Sequence, residues 1–231
     1  MIEGMDKSLG DLMDHLEARG VADQTLIFFL GDNGGDCPSG GYNEISSSAP
    51  LRGRKGSKWE GGVRVPFIAA WAELNPENRW QKKMPIVSGS IRGELGSCYD
   101  LFPTILEMLG VPVPVEHPVD GQNLSRLLAG KPDPSHLDEF LSHYPHPRKA
   151  ENNYFTIYRS GKWKLHYEYL EEGGRYGLYD LESDPDESLN LASENPEKLR
   201  VMMQSMVREL ESMNAQYPVD GQGREVKPLI P

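Results

Sequence analysis

Thr25-Leu-Ile-Phe-Phe-Leu-Gly-Asp-Asn-Gly-Gly35 is the stretch that decides the fold. Thr25 to Leu30 is a short uncharged run, the pattern of a strand buried on both faces of a parallel sheet. The turn at its carboxyl end lies at the edge where open α/β sheets bind ligands. Upstream, Met1, Met5, Leu9, Leu12, Met13 and Leu16 recur at helical spacing, and Gly20 supplies the stop. A helix followed by such a strand is half of an α/β unit. The periodicity begins at the first residue without a cap. That leaves three origins open: a native N-terminal helix, a start codon assigned inside a longer gene, or a designed truncation.

Working outward, Val63 to Trp71 predicts a second strand, with Pro66 placing that segment at a strand start or a sheet edge. Asp100 to Leu109 predicts a helix with Leu101, Ile105, Leu106 and Leu109 on one face, ended by Gly110 and Pro112. Composition changes across Gly130-Lys-Pro-Asp-Pro134, a domain-boundary signal. Beyond it, Tyr154–Arg159 and Trp163–Tyr169 alternate like strands joined at Ser160-Gly161, and Tyr176–Leu181 fits a third. Leu199, Met202, Met203, Met206, Val207, Leu210 and Met213 then mark a helix whose stripe is core packing. Asn195 is placed to cap it, with Pro196 in the first turn. From Tyr217 the sequence predicts an irregular tail.

The chain has 231 residues, with 24 Lys and Arg against 35 Asp and Glu, a net charge of −11. Such a balance argues against general binding to nucleic acid or anionic membranes, which reward clustered cations. No stretch approaches the roughly 20 apolar residues of a bilayer span. The N-terminus shows no basic flank followed by an apolar export segment. The two cysteines, Cys37 and Cys98, match no paired zinc spacing, and their redox state stays open.

Two segments have chemical character. In Gly31-Asp32-Asn33-Gly34-Gly35, the Asp and Asn side chains offer hard oxygen ligands suited to calcium or magnesium. Alone, Asp-Asn-Gly reads first as an ordinary turn. The second segment, Leu51 to Arg64, holds five basic residues and four glycines in 14 positions. The chain average would place roughly 1.5 cations there. Lysine serves a tetrahedral anion as a point charge, and arginine forks two hydrogen bonds to it. The bland alternative is a solvated basic loop. The spacing is not that of a Walker loop.

Together the segments suggest a divalent cation beside an anion, and at this point an ordered series of motifs becomes specific. Glu3-Gly-Met-Asp-Lys-Ser-Leu-Gly10, Gly31-Asp-Asn-Gly34, Pro50-Leu-Arg-Gly53, Lys55-Gly56 and Glu60-Gly-Gly-Val-Arg-Val-Pro66 come first. Tyr99-Asp-Leu-Phe-Pro-Thr-Ile-Leu106, Asp120-Gly-Gln-Asn-Leu124, Gly161-Lys-Trp-Lys-Leu165, Leu178-Tyr-Asp-Leu181 and Asp184-Pro-Asp-Glu187 follow. The chain resembles the C-terminal part of a formylglycine-dependent sulfatase of the alkaline phosphatase superfamily. The resemblance implies an α/β fold. Residues 1–132 would be the C-terminal half of the sulfatase sheet domain, and 133–231 a smaller α+β subdomain with an antiparallel sheet and a packed helix. It also implies hydrolysis of sulfate esters, with Asp32 and Asn33 as calcium ligands and Lys55 as the cation on the substrate sulfate. Arg52 and Arg64 are expected to be structural.

In that family the nucleophile is a formylglycine made from the cysteine of Cys-x-Pro-x-Arg, and no such motif occurs here. Cys37-Pro38-Ser39-Gly40 lacks the spacer and the arginine and follows the Asp-Asn pair, so it is rejected as the nucleophile. The expectation is a chain covering the second half of a sulfatase, with part of the calcium shell and no activity by itself. Self-association through the face left uncovered is a further expectation. One rival is a related phosphoesterase or phosphonate hydrolase, which places Asp-His where Asp32-Asn33 stands. The other is a non-catalytic remnant that acts only as a binding or structural domain. His143 and His146 are candidates for a substrate pocket. The identity of the ester (glycan, aryl or sulfolipid) stays open. The resemblance implies an exported or lysosomal protein, whereas no signal segment is seen.

Overall fold

A computed structural model describes residues 2–36, 47–146, 154–169 and 175–231. Cys37 to Gly40, the rejected nucleophile motif, lies outside the described residues. In chain order the elements are α1 (Ile2–Ala18), β1 (Leu26–Leu30), α2 (Glu60–Val63), β2 (Phe67–Trp71), α3 (Arg79–Lys83), α4 (Leu101–Leu109), α5 (Ser125–Leu128), β3 (Glu139–Tyr144), β4 (Phe155–Ser160), β5 (Trp163–Glu168), β6 (Arg175–Asp180) and α6 (Pro196–Ser212). Contacts group them into two units. One combines Met1–Asp32 with Pro66–Leu137, the other Asn33–Val65 with Asp138–Pro231.

In the first unit, α1 is helical as its spacing predicts, and a Lys7–Asp11 pair at 2.6 Å bridges adjacent turns. It ends where Gly20 takes φ +66° and Val21 N donates to Leu16 O. None of its residues is buried, and Ile2, Met5, Leu12 and Met13 are exposed. β1 pairs with β2 from Leu26↔Trp71 to Leu30↔Phe67. The pairing is antiparallel, which corrects the expectation of a parallel sheet. Among the described residues β1 has β2 as its single neighbour, and every β1 residue is half-buried. An apolar run specifies a strand but not the direction of its partner. Pro66 precedes β2, where its missing N–H costs no ladder bond.

The helix α4 starts from Asp100, whose buried carboxylate accepts from Ser97 N and Gln122 N, both at 2.7 Å. Burial, the largest influence, pushes this carboxyl above the usual carboxylate range despite those two bonds. Gly110, at φ +71°, ends the helix as expected. The buried face differs from the expected one: Pro103 and Thr104 are buried, whereas Ile105 and Leu109 are exposed. Thr104 accounts for this through its hydroxyl, which donates to Asp100 O and accepts from Leu124 N. A satisfied buried hydroxyl fixes the rotation of a short helix as firmly as an apolar stripe does.

The second unit is built on a four-stranded antiparallel sheet in the order β3-β4-β5-β6. Its core joins Tyr158, Leu165, Tyr167, Tyr169 and Leu178 to Leu199, Met202, Met203, Met206 and Leu210 of α6. The methionine stripe is therefore packing, as its period predicts. Three details differ from expectation. Ser160 pairs with Trp163, so the turn is Gly161-Lys162, with Gly161 at φ +56°. Asn195 precedes Pro196 at the helix start but makes no capping bond through its side chain. Met213 lies past the helix end and is half exposed. The tail is partly tied down: Leu229 N donates to the Tyr167 hydroxyl at 3.1 Å, and Tyr176 donates to Leu229 O at 2.9 Å.

Candidate active site

The loop after β1 runs from Gly31, whose N–H donates to Pro66 O at 3.3 Å, to the exposed Asp32, where the first segment of the first unit ends. The peptide bond to Asn33 enters the second unit. There Gly34 N donates to Gly62 O at 3.0 Å, and Lys55 N donates to Gly35 O at 2.9 Å. These bonds dock Asn33-Gly34-Gly35 on the basic segment and bring the Lys55 backbone against the loop that carries Asn33. The glycines explain how the two pieces approach so closely. A Cβ on Gly34 would overlap the Gly61 carbonyl oxygen, and one on Gly62 would overlap the Arg54 carbonyl. Gly53 and Gly56 take φ +84° and +82° on either side of the Lys55 turn.

Lys55 is exposed, Asn33 half-buried. Arg52 lies with its guanidinium carbon 3.6 Å from the centroid of the Trp59 ring, and its Nη1 donates to Glu187 O at 3.0 Å. That engagement is structural, as expected for Arg52. Arg64 is exposed, and its backbone N–H closes α2 on Glu60 O. Asp32 and Asn33 have the right donor chemistry for calcium, hard oxygen in both cases. Among the described residues no three His, Cys, Asp or Glu side chains are placed to hold a metal ion.

Residues 1–111 match the family described as Sulfatase. Residues 58–216, more than half of the chain, match N-sulphoglucosamine sulphohydrolase, C-terminal. The chain belongs to the sulfatase family. It is 35% identical over 146 residues to steryl-sulfatase of Homo sapiens, covering 62% of this chain and 23% of that one. It is 30% identical over 235 residues to arylsulfatase A of Bos taurus, covering 92% and 42%. Among solved structures, Ps i-CgsB in complex with k-i-k-neocarrahexaose is similar at TM-score 0.68 and 27% identity, over 92% of this chain and 41% of that one. The sulfatase chain thus spans less than half the length of these relatives, and its fold is that of their C-terminal part.

One feature of this chain was not legible in its sequence. Behind the basic segment lies a buried charge cluster within the second unit. Lys164 Nζ of β5 donates to Glu60 Oε1 at 2.8 Å and lies 3.0 Å from Glu187 Oε1. Glu187 Oε2 accepts from Glu60 N at 2.6 Å. His166 Nε2 is 3.0 Å from Glu187 Oε1 but off the line of a well-directed hydrogen bond. Burial dominates the imidazole, pushing His166 down to about 4, with the Lys164 charge adding to it and Glu187 opposing. Burial alone would raise the Glu187 carboxyl; contact with His166 and the charge of Lys164 outweigh it and hold it below the usual range. Lys58 and Glu168 form a second buried pair at 3.3 Å. Glu60 lies 104 positions from Lys164 and 127 from Glu187, so no local pattern joins it to them. Lys164 and Glu187 do fall inside two of the family motifs.

The two histidines are placed differently. His143, in β3, is half-buried, with Nδ1 2.7 Å from the Thr156 hydroxyl and Nε2 2.6 Å from Gln216 O. Burial lowers its pKa, and the neutral ring donates from Nε2 to that carbonyl. Both nitrogens are thereby engaged inside the protein, leaving neither for a substrate. His146 is exposed.

Proposed function

We propose that this chain carries the metal-facing and sulfate-facing side of a sulfate-ester hydrolase site. Asp32 and Asn33 are two oxygen ligands of a calcium ion, and Lys55 is the cation on the substrate sulfate. The observation that supports this is the docking of Asn33-Gly34-Gly35 on the basic segment by two backbone hydrogen bonds, one of them from the Lys55 N–H itself and the other to Gly62 O. Calcium, when bound, would draw charge from the sulfate oxygens as the S–O bond breaks. Lys55 offers a strongly hydrated ammonium on a flexible stem, suited to following that charge. Asn33 favours one hard cation over the zinc or manganese pair that an imidazole at this position would select, which favours a sulfatase over a phosphoesterase.

The 231 residues hold no Cys-x-Pro-x-Arg, so this chain supplies charge stabilisation and no nucleophile. Purified by itself it is expected to hydrolyse no aryl sulfate. Turnover that survives Cys37→Ala and disappears with Lys55→Ala would contradict that. Calcium is expected to bind weakly, with a dissociation constant on the order of 1 mM, the range of sites with few charged ligands. Calorimetric titration of the wild-type chain and of Asp32→Ala tests it. The account expects Asp32→Ala to abolish the heat; equal heats from both proteins would remove Asp32 from the metal site.

A further inference from the structure

The Lys55 turn is bracketed by a single residue that belongs to the opposite end of the chain. Glu187 reaches the basic segment twice. Its carbonyl oxygen accepts from Arg52 Nη1 at 3.0 Å, and its carboxylate accepts from Glu60 N at 2.6 Å. Arg52 and Glu60 stand on either side of Lys55, whose own N–H is bound to Gly35 O. Two further observations set Glu187 apart. It is fully buried, and it holds φ +54°, a left-handed conformation that glycine adopts freely and side-chain-bearing residues rarely do. Its carboxylate also lies within a buried group of ions, with Lys164 at 3.0 Å and Glu60 held by that same lysine. Buried ion pairs are poor sources of stability, because desolvation offsets their attraction, whereas they fix register well. Leucine or methionine would fill such a space more simply.

We propose that Glu187 is the positioning residue of the anion site, fixing the Arg52–Glu60 turn so that Lys55 is held against the Asn33 loop. The inference rests on the assignment of Lys55 as the sulfate-contacting cation. Lys164 and Glu60 complete the clamp: Lys164 pairs with both carboxylates, and Glu60 begins the helical turn that closes the segment. Glu187 touches no substrate and acts through the backbone that carries Lys55.

The informative variant is Glu187→Gly, because glycine suits the positive φ while removing the carboxylate. Hydrogen exchange of backbone amides, followed by NMR on the full 231-residue chain, reads the result directly. The expected outcome is at least a tenfold loss of protection at the Lys55 amide, with the Leu165 and Tyr167 amides of β5 unchanged. Glu187→Gln, which keeps an acceptor for Glu60 N, should recover part of that protection. Unchanged protection at Lys55 overturns the proposal. So does a uniform loss across β4, β5 and β6, which would make Glu187 a general fold residue. Titration with inorganic sulfate separates this from the underlying assignment. If Lys55→Ala leaves sulfate binding unchanged, or if wild type binds none, the assignment of Lys55 fails, and the amide exchange still decides what Glu187 does.

Discussion

At the scale of single residues, the site is a matter of what glycine permits. Gly34 leaves no room for a methyl group, since a Cβ would run into the Gly61 carbonyl. Gly34→Ala is therefore expected to push the Asn33 loop off the basic segment at a cost of about 3 kcal/mol, the upper part of the range for overpacking. Urea denaturation of the purified chain measures it. A change below about 0.5 kcal/mol, the ordinary scatter of surface substitutions, would show that the loop is not docked as described. Asp32, Asn33 and Lys55 were nominated in the sequence by the ordered family motifs that carry them, since Asp-Asn-Gly alone reads as a turn and the basic segment alone as a solvated loop. Glu187, Lys164 and His166 were not, because their meaning depends on partners that only the folded sheet brings together. His143 shows the opposite failure. A histidine pair near a proline suggested a pocket, while the sheet turned one ring inward toward Thr156 and Gln216.

At the scale of elements, strong periodicity was the reliable signal. Five of the seven stripe residues, Leu199, Met202, Met203, Met206 and Leu210, are buried, Val207 is half-buried, and the stripe fails at Met213, which lies past the helix end. Met203→Ala is expected to cost about 3 kcal/mol, the middle of the range for emptying a buried methionine site. Met213→Ala should fall within about 0.5 kcal/mol of wild type. Chemical denaturation of both variants checks the contrast, and equal losses would contradict the burial described. β3 escaped notice because Glu139-Phe-Leu-Ser-His-Tyr144 carries no alternation: all six positions are half-buried, so neither face imposes a pattern. For β1 the signal was present but said too little. An uncharged run marks a strand, and only the partner strand reveals that the pairing is antiparallel.

At the scale of the whole molecule, the buried cluster ties stability to pH. His166 titrates near 6.5 when unfolded and is pushed down to about 4 in the folded protein. Between those values the unfolded chain binds the proton and the folded chain does not. Stability is thus complete above about pH 6.5 and falls as pH drops toward 4, by at most about 3 kcal/mol from this group. Glu187, whose carboxyl is also lowered, acts in the same direction at the acid end of the window. The groups facing the imidazole are Lys164, Lys58 and Glu187, with the Trp59 ring in an edge-to-face contact and the Tyr179 ring tilted against it. Thermal melts at pH 7 and pH 5 should show a drop that His166→Asn reduces. An equal drop in the variant would place the pH dependence elsewhere.

In the function proposed for this chain, the Asn33 loop and the Lys55 turn form the sulfate-binding side of a sulfate-ester hydrolase site. Its most direct test is an NMR titration of the ¹⁵N-labelled chain with inorganic sulfate in the presence of calcium, which detects even millimolar affinity. The account predicts saturable shifts concentrated at the amides of Asn33, Gly34, Gly35 and Lys55, diminished without calcium and abolished by Lys55→Ala. Shifts spread over other basic surfaces, or the same curve from Lys55→Ala, would contradict it.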